Sequence, residues 1–301
     1  MRIARFLIFP LILVLLVCTV AWLTPLPAQP SPQSLNLTFT TIDVPGAGYT
    51  GVFGINTAGD IVGNYGTNAS VDSHGFKYSD GTFSYYDYPS EPETVGTGIN
   101  DSGLIVGYGT AGTTAVGFSY DGVSFTTIKD GNSSATYAGG INNAGEIVGG
   151  AGSTGAIKGF ALLGGRFKTL KVPGLNSAVE GTGVNKFGSI VGIVSDVTAN
   201  EHGFLCRGNT CQTFDFPGAT TTFAYGINDA GLIVGWYAST ACPTCGFVSK
   251  NGKYFSFSYP GAIATCATGI SRSGEIVGQY ELSDFTFHGF VTNPIANLDF
   301  P

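Results

Sequence analysis

The chain has 301 residues, 43% of them apolar, with 46 glycines, 22 phenylalanines and 14 tyrosines but one methionine. Only 11% are charged, and the formal net charge of -7 comes with no basic run after Arg5. That excludes a nucleic-acid partner, because affinity for phosphates is supplied by clustered Lys and Arg, while the aromatic and glycine content favours strands and tight turns over helices.

In chain order, Arg2 and Arg5 precede an uncharged stretch from Phe6 to Leu23, and Leu26-Pro27-Ala28 offers a cleavage site before Gln29. This is the layout of an export signal over residues 1–28. The apolar run also reaches the length of a bilayer span, so a retained single-pass anchor is the alternative, and membrane contact is expected only through this segment. Cys18 follows Val17 rather than a small residue, which disfavours a lipoprotein. Residues 29–37 read as an extended linker, and 38–301 as one domain. The expected location is extracellular or in the cell envelope.

Internal repetition organises that domain. Gly-Ile-Asn or a close relative recurs six times, ending at Asn56, Asn100, Asn142, Asn185, Asn228 and Ser271, spaced 42 to 44 residues apart. Ile-Val-Gly follows each time, and then Gly-Phe ending at Phe76, Phe118, Phe160, Phe204, Phe247 and Phe290. An aromatic-rich segment closes each unit, ending in proline everywhere except after the second Gly-Phe, where Lys129-Asp130-Gly131 stands. Asn-x-x-Gly is a tight-turn sequence, joining a Gly-Ile strand (A) to the Ile-Val-Gly strand (B). Strand C carries Gly-Phe into turns such as Asp80-Gly81 and Asn251-Gly252, and strand D ends at the proline.

Four short antiparallel strands in about 43 residues match a propeller blade. The expected fold is therefore an all-β, six-bladed β-propeller of four-stranded antiparallel blades. A prism or solenoid of the same hairpins would need distinct capping repeats, and the sequence has none. There are seven D-like segments for six A-B-C sets, counting Phe39–Pro45 and Ile295–Pro301. The N-terminal one stands at the D-to-A spacing of the others, so closure of the ring by the N-terminal strand is expected, with the C-terminal segment as competitor.

Gly-Ile-Asn, Ile-Val-Gly and His-Gly-Phe (His74-Gly75-Phe76, His202-Gly203-Phe204 and His288-Gly289-Phe290) together resemble the HAF-type bacterial extracellular repeats. The resemblance covers residues 38–301. It implies an exported bacterial protein and transfers no catalytic residue.

Five cysteines fall in the last third of the chain, which suits an oxidising compartment. Cys206 and Cys211 flank a turn-like quartet and are expected to form a cross-hairpin disulfide. A second structural pair is expected among Cys242, Cys245 and Cys266. The redox reading of Cys242-Pro-Thr-Cys245 would need a helix N-terminus, and none is legible nearby.

His74, His202 and His288 are the tempting metal ligands. Equivalent strand-C positions in neighbouring blades lie too far apart to share one ion, so hydrogen bonding is expected of them and no metal site. The turn asparagines are expected to serve their own backbone. No nucleophile elbow, zinc-protease motif or phosphate loop is present, so no catalytic residue or cofactor is assigned. Carboxylates from separate blades leave no local motif; Glu91, Glu93, Glu180, Asp196, Glu201, Glu281 and Asp284 are the eligible acids.

A-B and C-D turns are uniform and share one face; the B-C and D-A connections share the other and vary, which is where function tends to sit. Tyr65, Tyr108, Trp236, Tyr237, Tyr280 and Phe285 are placed there as ligand-binding candidates, because aromatic faces with a polar handle suit sugars and peptides. The expected function is non-catalytic binding of a glycan, peptide or envelope or extracellular protein. A carboxylate-dependent glycosidase or lyase and a purely structural envelope protein are the alternatives.

Overall fold

The structure, a computed structural model, describes residues 33–67, 72–89, 91–111, 114–131, 133–153, 156–173 and 178–295. The export signal expected over 1–28 and the C-terminal segment beyond Ile295 lie outside the described residues.

All regular structure among the described residues is β. Two strands, β1 (Gln33–Ser34) and β2 (Phe39–Ile42), precede the repeats. The first repeat supplies β3 (Tyr49–Ile55), β4 (Ile61–Gly66), β5 (His74–Ser79) and β6 (Thr82–Tyr86). The second supplies β7 (Glu93–Ile99), β8 (Ile105–Ala111), β9 (Thr114–Tyr120) and β10 (Phe125–Ile128). The third supplies β11 (Ala135–Ile141), β12 (Ile147–Ser153), β13 (Ala156–Leu163) and β14 (Arg166–Thr169). The fourth supplies β15 (Val179–Val184), β16 (Ser189–Ser195), β17 (Glu201–Arg207) and β18 (Thr210–Phe214). The fifth supplies β19 (Thr221–Ile227), β20 (Ile233–Ala238), β21 (Cys245–Lys250) and β22 (Lys253–Phe257). The sixth supplies β23 (Ala264–Ile270), β24 (Ile276–Glu281) and β25 (Phe287–Thr292).

Within each repeat, consecutive strands pair antiparallel. The second and third quartets are joined by one parallel pairing of Ala135 with Ala115. The outer strand of the sixth sheet is β2, antiparallel to β25 from Phe39 opposite Thr292 to Ile42 opposite Gly289. Just before it, β1 lies parallel on β22. The molecule is an all-β propeller.

The motif residues have clear steric reasons. The glycines of Gly-Ile-Asn bring the innermost strands together: a Cβ on Gly54 would lie 2.9 Å from the Cα of Gly98, and one on Gly269 would lie 3.4 Å from the Cα of Gly54. At Gly192, the glycine of Ile-Val-Gly, a Cβ would fall 2.0 Å from the Glu180 carbonyl oxygen and 2.6 Å from the Phe204 ring. The missing side chain is thus the space that Phe204 fills. All six Gly-Phe phenylalanines are buried and, with Phe216, are the largest of the fully buried side chains.

Each asparagine that opens an A-B turn serves two masters. Its Oδ1 accepts the N–H groups two and four residues on, as Asn142 does from Ala144 and Glu146, both at 3.0 Å. Its Nδ2 donates to the turn carbonyl of the next repeat: Asn56 to Asn100 at 3.2 Å, Asn142 to Asn185 at 2.9 Å and Asn228 to Ser271 at 3.2 Å. The amides are therefore used locally, as expected, and also tie each repeat to its successor. Ser271 accepts the Glu275 N–H at 3.0 Å but is too short for the forward reach.

A disulfide joins Cys206 to Cys211 across the β17–β18 hairpin. A second joins Cys242 to Cys245 at the start of β21, and Cys266 is a buried free thiol.

Candidate functional site

The A strands line the centre of the molecule, and each carries a β-bulge three residues before its turn asparagine or serine, for example between Gly181 and Gly183. The bulge lets alternate residues at its N-terminal side face one another across the axis. The residue five before the turn stands directly opposite the residue after Ile-Val-Gly: Val95 opposite Tyr108, Phe223 opposite Trp236, Glu180 opposite Ile193. Opposed residues in a ladder share a sheet face. These positions place Tyr108, Tyr137, Glu180 and Trp236 on the inner wall, and Tyr225, the bulge residue of its strand, is partly exposed as they are.

They converge. The Tyr108 ring meets Tyr137 edge-on at 5.1 Å, and Trp236 stacks on Phe223 at 4.1 Å. Glu180, from the fourth repeat, acts electrostatically on the phenols of Tyr108, Tyr137 and Tyr225, from the second, third and fifth. Glu93 acts on Tyr108 and Tyr49. Four repeats thus bring polar groups to one place.

Burial dominates the electrostatics there. The Glu180 carboxyl is pushed up to about 8, first by burial and then by the Glu201 charge. The phenols of Tyr108 and Tyr225 are raised, again chiefly by burial. Glu93 accepts a hydrogen bond from Thr110 Oγ1 at 3.2 Å. Glu180 packs over the third repeat, where a Cβ on Gly150 would lie 3.4 Å from Glu180 Cγ.

At the A-B turn end, the last aliphatic residues of the A strands (Ile55, Ile99, Ile141, Val184, Ile227 and Ile270) ring a depression of about 80 Å³. Above them the turn residues bind one another. Thr57 N–H donates to Asp101 at 2.9 Å and Asp101 N–H to Asn143 at 2.8 Å, while Lys186 Nζ and Arg272 Nε lie 3.5 and 3.4 Å from Asp229. These charges satisfy one another. The cluster of tyrosines and carboxyls lies toward the opposite, variable-loop end of the same strands.

The sequence candidates divide. Tyr108 and Trp236 belong to the inner wall. Tyr237 and Tyr280 do not: each is 6% exposed and packed between sheets, so neither offers a face to a ligand. Tyr237 stacks on Phe216 at 3.6 Å and its hydroxyl meets Ser256 Oγ at 2.8 Å; Tyr280 stacks on Tyr259 at 3.6 Å and its hydroxyl meets Thr41 Oγ1 at 3.2 Å. Tyr65 packs its ring against His74 and Tyr85. All five aromatics sit in B strands rather than B-C loops, because those strands run two or more residues past Ile-Val-Gly. Only Phe285 is in a B-C loop, 64% exposed, with φ at +66°. A bulky residue held there is a backbone outlier.

The histidines pair with aspartates of strand D: His74 with Asp87 and His202 with Asp215, both at 2.9 Å, and His288 with Asp43 at 2.7 Å. Among the described residues no group of three or more ligating side chains could hold a metal ion. Sequence reasoning missed Tyr49, Tyr137 and Tyr225 altogether, and it took Glu93 and Glu180 for loop acids. Counting back five residues from each turn asparagine would have found Tyr137 and Glu180.

No family model matches the chain, and no curated protein sequence matches it. Solved structures do resemble it. A fucoside-bound lectin from Aleuria aurantia superposes with a TM-score of 0.51 at 11% identity, covering 81% of this chain and 93% of the lectin. A gluconolactonase from Xanthomonas campestris gives 0.50 at 12% identity, covering 86% and 90%. The β-propeller domain of a Pyrococcus furiosus protease gives 0.50 at 11% identity, covering 85% and 84%. At these identities the likeness is one of fold, and it agrees with the propeller read from the strand pairing.

Proposed function

We propose that this is an exported, six-bladed propeller, closed by its N-terminal strand, that binds the end of a glycan in the central well, entered from the variable-loop face. The observation that carries the binding reading is the convergence of Tyr108, Tyr137, Trp236, Glu93 and Glu180 from four repeats. Aromatic faces stack on sugar rings, and carboxyls accept hydrogen bonds from sugar hydroxyls. Six blades are supported by the contact of Gly269 with Gly54, which returns the innermost strands to the first repeat. Closure is supported by β2 serving as the sixth D strand. Export is supported by residues 1–28, by the resemblance to HAF-type repeats and by two disulfides. The fold neighbours include a lectin in complex with a fucoside, and that supports the glycan reading.

Thermal unfolding against a panel of soluble oligosaccharides tests the reading. A ligand at 100 times its dissociation constant adds about 2.7 kcal/mol and a clear rise in Tm. Trp236→Ala should abolish that rise while Phe285→Ala weakens it. A panel of glycans that leaves Tm unchanged sinks the reading.

A further inference from the structure

We propose that the glycan held in the well is built from amino sugars with free amines, whose ammonium groups pair with Glu180 and Glu281. This rests on the glycan reading above and names its ligand class. The twelve A and B strands hold three glutamates, Glu93, Glu180 and Glu281, and no lysine, arginine or histidine. The stretches between strands B and C add Asp72, Asp196 and Asp284 and again no basic residue. A ligand entering there meets carboxyls without counter-ions, so a cation is favoured and an acidic sugar is opposed.

Ladder register places the two acids. Glu180 stands opposite Ile193, on the face that forms the inner wall. A Cβ on Gly150 would lie 3.4 Å from Glu180 Cγ; Gly150 is opposite Tyr137, and the Tyr137 ring meets that of Tyr108 at 5.1 Å. An ammonium on Glu180 therefore sits beside the Tyr137 ring, with Tyr108 next to it, and aromatic faces attract cations. Glu281 is two residues beyond Gln279, the residue after Ile-Val-Gly, and shares its face one layer nearer the loops. Glu281 is 5% exposed, and among the described residues neither it nor Glu180 has a hydrogen-bond or ion-pair partner for its carboxyl. Burial raises both carboxyls, as it does for acids that lack a partner. Among the described residues, the side-chain polar atoms sealed from solvent without a partner are the Tyr86 hydroxyl and Glu91 Oε2, not the oxygens of Glu180 or Glu281. Both carboxyls thus open on space that a ligand can reach, and each takes its own ammonium.

Calorimetric titration of the full chain with glucosamine oligomers, and with the same oligomers N-acetylated, tests this. The free-amine form should bind about 10-fold tighter or more, as one hydrogen bond to a charged group provides. Glu180→Gln and Glu281→Gln, checked for folding by circular dichroism, should each reduce that ratio severalfold. Equal affinity for the two oligomers would overturn the proposal, as would a ratio unchanged in either variant. Spermidine bound as tightly as the glucosamine oligomer would overturn it too, by showing that charge alone is read. Other glycans bound in place of these would remove this proposal and leave the binding reading standing, whereas no glycan bound would end both.

Discussion

His288 Nδ1 and Asp43 are hydrogen-bonded at 2.7 Å across 245 residues of sequence, repeating what His74–Asp87 and His202–Asp215 do across 13. The aspartate that completes the sixth repeat therefore comes from the segment before the first. Asp43→Ala should cost about 1 kcal/mol, since the pair is partly exposed and its charge screened, and lower Tm by roughly 2–4 °C. Deleting residues 33–43 should do far more, because it also removes Phe39 from its contacts with Phe257, Tyr259 and Phe290. Circular dichroism on heating should then show a broad, non-cooperative transition. A deletion variant melting like the wild type would contradict the role given to β2.

The glycine of Ile-Val-Gly admits no side chain. Gly192→Ala should destabilise by several kcal/mol, as overpacking against both a carbonyl and Phe204 does. Phe204→Ala should cost about 3–5 kcal/mol through the cavity it leaves. Urea midpoints of the two variants check both, and a midpoint within error of wild type for either would refute this account of the motif.

Glu180 makes stability fall with rising pH. Its folded carboxyl is pushed up to about 8 from an ordinary value of 4.5, so the folded state holds a proton that the unfolded chain has lost. The slope of unfolding free energy against pH is negative across that window. Glu180→Gln should be more stable than wild type at pH 8 and similar at pH 4.5. Equal pH dependence in the two proteins would place Glu180 in water.

His202 adds to the same trend by a different route. Burial opposes its charge, but hydrogen bonds and charge from Asp215, then Asp196, outweigh that and raise it above 6.5. Its contribution is complete below 6.5 and fades as pH rises through the raised value. His202→Gln should lose stability at pH 6 and little at pH 9, measurable as the change in Tm between those conditions.

Much of the architecture was legible because the repeat writes it six times: turns from Asn-x-x-Gly, burial from Gly-Phe, the Cys206–Cys211 bridge from the turn between them. The inner wall was harder to read because the bulge shifts side-chain direction within strand A, and a bulge leaves no motif of its own. In strand B, adjacent residues face opposite ways by simple alternation. Trp236 faces the well while Tyr237 packs outward against Phe216, and composition alone treats them alike. The seat of β1 on β22 was illegible for a simpler reason: two residues of parallel pairing carry no pattern.

The asparagine ladder gives the molecule a polarity that no single sheet has. Each turn asparagine hands an amide forward, and the series stops at Ser271, leaving that junction the Thr268 Oγ1 bond to Val52 O at 2.7 Å, a bond that Thr97 and Thr182 make at other junctions beside the amide. Under load the junction between the last repeat and the first is therefore the seam, held by a hydroxyl and by β2, whereas the other five share the stiffer tie. A molecule pulled by its ends would part there first and leave the six repeats clasped as an open arc.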